Sequence, residues 1–252
     1  MSLPNVVDRW RPETAAGGFT RDDEAVAFYS RVNALLDPGM TVLDLGAGRG
    51  SRYDSGTAPF VRDLCTLQGK VKRMIGIDLD PAVLEHPRLD EAHVIEPDAP
   101  YPLDDGSIDL IVCEYVVEHV EDPAGFAREI DRILKPGGWF CALTPNKYGY
   151  VGLGNTIVPE KVKSRLMRSI WPERPEDDVF PTFYRLNTLG QFRQAFPAAQ
   201  WEHHGYTSSV TPKYHGNRST LFAAVSAFQA VAPAMFQTNL LVFSQKRASS
   251  AA

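Results

Sequence analysis

The run Val42-Leu43-Asp44-Leu45-Gly46-Ala47-Gly48-Arg49-Gly50 sets a short apolar stretch directly against a turn built on three glycines. Residues without side chains let the backbone come close to a nucleotide-like ligand, so the turn reads as a cofactor loop after a buried strand. Glycines of this kind also serve ordinary strand-to-helix turns, and the neighbouring segments have to decide. Ile75-Gly76-Ile77-Asp78 ends the next apolar run in a carboxylate. At the C-terminal edge of a sheet such a group can accept both hydroxyl protons of an adenosine ribose, with Leu79 following it. The plain alternative is a solvated turn residue before Asp80-Pro81. His93-Val94-Ile95-Glu96-Pro97-Asp98-Ala99 closes a third run with an acid. There Asp98 could meet an adenine amino group and the Ala99 amide the ring, or the acid could simply belong to a proline-rich loop.

Working outward, short apolar runs at residues 41–45, 74–77, 93–95, 108–113 and 139–143 read as strands covered on both faces. Helical spacing marks residues 21–36, after Thr20 as the expected cap, and residues 59–67 and 123–134, the last ended by Lys135-Pro136-Gly137-Gly138. The alternation predicts an α/β fold with a doubly wound, mostly parallel sheet. After Thr144-Pro145-Asn146 the rhythm breaks into a Pro-, Gly- and charge-rich stretch with one basic helical patch at residues 160–170. A helix at 188–195, a strand at 200–206, a helix at 219–231 and a strand at 240–244 then resume it. One domain is expected, divided into an N-terminal helical region (1–40), a cofactor-binding core (41–146), an insertion or substrate lid (147–187) and a C-terminal part of the sheet (188–247).

The 252 residues allow one sizeable core, and the net charge of -5, with both signs interspersed, gives no basic stripe for a phosphate backbone. A nucleic-acid partner is therefore not expected. Cys65, Cys113 and Cys141 stand far apart and read as small buried hydrophobes. The start Met1-Ser2-Leu3-Pro4-Asn5 lacks the charge and apolar stretch of a signal peptide, so a cytoplasmic location is expected.

Residues 41–146 resemble a class I S-adenosylmethionine-dependent methyltransferase of the Rossmann-like, small-molecule group. The resemblance is carried by residues 44–50 as first motif, Ile77-Asp78, Asp98-Ala99, Ser107-Ile108-Asp109-Leu110-Ile111-Val112-Cys113-Glu114, Val117-Glu118-His119-Val120-Glu121-Asp122-Pro123, and Leu134-Lys135-Pro136-Gly137-Gly138. It implies a seven-stranded sheet with a final antiparallel strand, and an insertion after the fifth. It also implies S-adenosyl-L-methionine as cofactor, held by Asp44, Gly46, Ala47, Gly48, Gly50, Asp78, Leu79, Asp98, Ala99 and Glu114. The long polar connection after Gly50 departs from the pattern. His119 falls near the acceptor in the family, where it could act as a base or only pack against the cofactor. Tyr148, Tyr184, Arg185 and Tyr214, with Tyr150 and Phe183, offer aromatic walls and polar tips for a small-molecule acceptor. An O or N atom is the expected methyl acceptor, in a molecule of lipid-linked or saccharide-like type.

Two further features ask for a reading. His203-His204 stands on a strand, where neighbours point to opposite faces, with no Cys or carboxylate at ligand spacing; surface histidines and no metal are expected. Residues 219–245 contain no Asp, Glu, Lys or Arg, and Pro233, Gln229 and Gln237 interrupt any spanning helix. A helix buried against the sheet is the favoured reading, and a face for a peripheral membrane or a greasy substrate is the other. Against the methyltransferase stand two rivals. A nicotinamide-dependent oxidoreductase would want its third glycine where Ser51 stands, and its acid at ~20 residues, closer than Asp78. A non-catalytic cofactor-binding subunit would keep the same loop.

Overall fold

The strands β1 (Thr41–Leu45), β2 (Arg73–Asp78), β3 (Glu91–Val94), β4 (Ile108–Glu114), β5 (Leu134–Pro145), β6 (Trp201–Ser208) and β7 (Asn239–Lys246) make one seven-stranded sheet in the order β3-β2-β1-β4-β5-β7-β6. This computed structural model describes residues 5–50, 53, 56–97, 99–157, 181–213 and 215–248. β3, β2, β1, β4 and β5 run parallel, and β7 is antiparallel to both β5 and β6. The expected final antiparallel strand is there, inserted between β5 and β6.

Central strands with near-continuous apolar sequence are buried on both faces, as parallel sheets require. Leu43, Leu45, Ile77, Ile111, Phe140 and Val242 face the helices α4 (Pro123–Ile133) and α6 (Leu189–Ala195). Val42, Met74, Leu110, Val112, Cys141 and Leu143 face α2 (Glu24–Leu35) and α3 (Pro59–Cys65). The result is a three-layer sandwich in which the C-terminal ends of β1 to β6 open on one edge, where antiparallel β7 begins. Cys65, Cys113 and Cys141 are buried, and none of them forms a disulfide within the described residues.

Several expectations are corrected at this level. The cap of α2 is Asp23, whose carboxylate accepts from the Val26 amide at 2.9 Å, while the Thr20 hydroxyl pairs with Thr211 instead. Lys135-Pro136-Gly137-Gly138 does not separate helix from strand. β5 already begins at Leu134, and the Pro-Gly-Gly stretch is absorbed as a register shift opposite Ile108 and Leu110. The insertion opens with a helix that the sequence did not suggest, α5 (Tyr150–Ile157), and the basic patch at 160–170 lies outside the described residues. His203 is not a surface residue: it is half-buried, bridging Ser244 Oγ at 2.8 Å and the Phe196 carbonyl at 2.7 Å, and only His204 is exposed. The helix α7 (Ser219–Val231) forms where expected, but buries Phe222 alone, so the favoured reading of a helix sunk against the sheet is wrong. Among the described residues no helix is long and apolar enough to cross a membrane.

Candidate active site

The loop after β1 is stapled to the end of β2: the Ile77 carbonyl accepts the amides of Gly46 at 2.8 Å and Ala47 at 3.2 Å. Gly46 has φ +79°, and a Cβ there would stand 2.1 Å from Val116 Cγ2, so only glycine lets the turn after β4 close over it. Gly48, at φ +56°, faces open space instead. Its amide donates to Asp78 Oδ2 at 2.8 Å, and Asp78 Oδ1 accepts the Asp80 amide at 2.8 Å. A carboxylate offers about four acceptor directions. Two remain on Asp78 for the two hydroxyls of a ribose, and the uncovered side of Gly48 leaves room for the rest of an adenosyl group. Gly50 closes the loop against the His86 ring, and Leu79 next to Asp78 is an exposed apolar side chain of the kind a purine packs on. The residues present therefore fit the cofactor. Ala99 has its amide turned toward the Glu96 carbonyl at 3.4 Å, and Asp98 lies outside the described residues.

Asp44 stands one residue before the end of β1 and Glu114 ends β4 on this edge, and Glu114 Oε2 accepts the Tyr29 hydroxyl of α2 at 3.2 Å. The N-terminal helical region thus closes over the site rather than standing apart from it. Tyr115 follows with φ +57°, a left-handed conformation that costs a bulky residue energy and that recurs at functional sites. Its hydroxyl accepts from Asn239 Nδ2 at 3.0 Å and its ring lies 5.7 Å from the Lys213 ammonium, which pairs with Glu24. Burial first, then the charges of Glu24 and Glu114, hold the Tyr115 phenol well above its ordinary range. Sequence reasoning missed Glu24, Tyr29, Tyr115, Lys213 and Asn239. They come from four distant segments, and nothing in local spacing joins them.

His119 sits in the short turn Val117–His119, with Nδ1 2.7 Å from the Pro181 carbonyl. A carbonyl only accepts, so Nδ1 carries the proton and Nε2 is the basic nitrogen. Beside it Glu118 is buried, accepts the Thr144 hydroxyl at 2.9 Å and, through its own carbonyl, the amides of Phe183 and Tyr184. Asn187 Nδ2 donates to Thr144 Oγ1 at 2.7 Å, completing a network that ties the turn after β4 to the end of β5 and to the chain returning from the insertion. Desolvation is the largest influence on Glu118 and pushes its carboxyl up to about 7.

The acceptor candidates fall in different places. Tyr148 is exposed near the end of β5, and Tyr184 is buried at φ +53° with its carbonyl accepting from Gln191. Arg185 donates to the Glu121 carbonyl at 2.5 Å, stacks on Phe183, and lines a groove of about 670 Å³ between α4 and α6. Tyr214 lies outside the described residues.

Glycine turn, ribose-competent carboxylate and the turn after β4 thus meet on one sheet edge, and a family model described as a methyltransferase domain matches residues 19–203. The chain belongs to this methyltransferase family. The methyltransferase is 36% identical over 114 residues to a protein of Mycolicibacterium smegmatis named probable S-adenosylmethionine-dependent methyltransferase, covering 43% of this chain and 39% of that one. It is 31% identical over 121 residues to a ubiquinone biosynthesis O-methyltransferase of Albidiferax ferrireducens, covering 43% of this chain and 42% of the other. It therefore spans less than half the length of these curated relatives. The fold of the methyltransferase matches that of the YcgJ protein of Bacillus subtilis with a TM-score of 0.52, over 89% of this chain and 99% of that one, at 16% identity. With the family in place, the dinucleotide-binding alternative falls away.

Proposed function

We propose that this chain transfers a methyl group from S-adenosylmethionine to an O or N atom of a small-molecule acceptor of lipid-linked or saccharide-like type. The observation that carries the reading is Asp78, whose carboxylate anchors the Gly48 amide at 2.8 Å and still has acceptor directions to spare at the edge where β1 and β2 end. When bound, the cofactor supplies a sulfonium-activated methyl, so the protein needs no metal and no covalent nucleophile. Asp78 would take the ribose hydroxyls, Leu79 and Ala99 would flank the adenine, and Asp44 and Glu114 would hold the cationic amino-acid end. Holding an acceptor in line with the methyl is worth about 7 kcal/mol or more in such reactions.

For a hydroxyl acceptor, His119 Nε2 removes the proton as the oxygen attacks, since the Pro181 carbonyl keeps the other ring nitrogen protonated. A relative named as an O-methyltransferase supports oxygen over nitrogen. Tyr115 and Tyr148 are the aromatic groups best placed to meet the acceptor. Titration calorimetry with S-adenosylhomocysteine, S-adenosylmethionine and NAD tests the cofactor, with binding of the first two expected and of NAD not. Product formation with a panel of phenolic, glycosyl and polyprenyl acceptors tests the chemistry. His119→Ala is expected to lower kcat about 10²–10⁴-fold with KM little changed, and unchanged turnover would reduce His119 to packing. Cofactor binding with no turnover on any acceptor would favour a non-catalytic subunit.

A further inference from the structure

α7 is apolar on its solvent side as well as its inner one. Leu221, Ala224, Phe228 and Val231 follow one another at spacings of three and four and form a single solvent-facing stripe, with Phe228 47% and Val231 80% exposed. The opposite side carries the buried Phe222 together with half-buried Val225, Ser226 and Gln229. Gln229 Nε2 donates inward to the Val210 carbonyl at 3.0 Å and to Thr238 Oγ1 at 2.9 Å, and Ser226 Oγ is buried. A helix that merely covered a sheet would leave polar residues, not this stripe, on its solvent side.

The stripe continues at both ends. At its start, Trp10 of the helix α1 (Val6–Trp10) is exposed with its ring centroid 6.2 Å from that of Phe222, and the Val6 amide donates to Asn217 Oδ1 at 3.0 Å, fixing α1 beside α7. At its end comes Met235, 56% exposed, whose carbonyl accepts from Asn146 Nδ2 at 2.9 Å. Asn146 follows β5 directly, so this end of the stripe reaches the sheet edge that carries the site, next to exposed Tyr148 and Leu153. Two exposed arginines, Arg9 and Arg218, stand at the start of the strip, with the exposed Asp8 next to Arg9, and no acid occurs from residue 219 to 245.

We propose that this face, with Trp10, Leu221, Phe228, Val231 and Met235 as its apolar contacts, docks on an anionic lipid bilayer and turns the acceptor side of the sheet toward it. The dimensions favour a bilayer over a second copy of the chain. Thirteen residues of helix give a strip about 20 Å long and about 10 Å wide. That is roughly 200 Å², far below the ~800 Å² per partner of a stable dimer. A single apolar helix face with Trp and arginines at one end is, by contrast, sufficient for shallow insertion between headgroups.

The test is flotation of the full chain with phosphatidylcholine vesicles and with vesicles of phosphatidylcholine and phosphatidylglycerol. Co-flotation with the anionic vesicles is expected, and it weakens as salt is raised. Phe228→Asp combined with Val231→Asp is expected to lower the bound fraction at least about tenfold. Arg9→Ala and Arg218→Ala are each expected to cost about fivefold on the anionic vesicles alone. Circular dichroism checks that the variants fold, and Val231→Asp alone, at the most exposed position, serves should the double variant not. Wild-type protein left at the bottom of both gradients overturns the proposal, as does flotation that these Asp variants leave unchanged. A concentration-dependent dimer in light scattering, dissolved by Val231→Asp, would assign the stripe to a second copy instead. Flotation reads no turnover, so this outcome is separate from that of the methyl-transfer proposal.

Discussion

Asp78 serves both as an anchor for the glycine loop and as the group offered to a ribose, and a single substitution removes both. Hydrogen bonds to a charged group are worth about 1.5–3 kcal/mol. Asp78→Ala is therefore expected to weaken S-adenosylhomocysteine binding roughly ten- to hundredfold in calorimetry. Glu118 gives a pH signature. In the folded protein it holds its proton up to about pH 7, whereas an unfolded glutamate releases it near 4.5, so the fold binds more protons between those values. This contribution to stability is fully present below about 4.5 and is lost as the pH rises through about 7. Glu118→Gln is expected to remove that slope, worth roughly 3 kcal/mol across the window, when urea unfolding of variant and parent is compared at successive pH values. Gly46, Gly48 and Asp78 were legible in the sequence because strand, turn and acid lie in short, ordered runs. Glu24, Tyr115, Lys213 and Asn239 were not, because their meeting is a product of packing between remote segments.

Elements bounded by turn residues were legible almost to the residue. β1 and α7 have the expected limits, and β2, β4, α3 and α4 differ by one or two positions, since continuous apolar runs bounded by turns leave little freedom. Ends fixed by a single polar side chain were less so. Thr20 and Asp23 are both competent caps, and what selects Asp23 is that Thr20 has a distant partner in Thr211. Asp23→Ala is expected to cost about 1 kcal/mol. For a chain of this size that lowers Tm by about 2–4 °C in calorimetry. The error over α7 has a different cause. Apolar spacing tells which residues share a stripe, but whether the stripe is covered depends on neighbours that the stripe itself does not encode.

For the whole molecule, alternation of strand and helix announced the layered sheet, while the order of its strands came only from the register of their hydrogen bonds. A ligand that binds the folded chain alone must raise its stability by mass action. S-adenosylhomocysteine at about a hundred times its Kd is expected to add about 2.7 kcal/mol, read as a rise in Tm that NAD does not produce. The position of β7 has a consequence for biosynthesis. Among the described residues β6 is bonded to β7 and to no other strand, and β7 is also what separates β6 from β5. A nascent chain halted at residue 238 therefore presents two open edges, rich in unpaired amides and carbonyls, until Lys246 has left the ribosome. The sheet therefore cannot be completed strand by strand in step with translation, and those edges stay open to other chains until β7 has emerged.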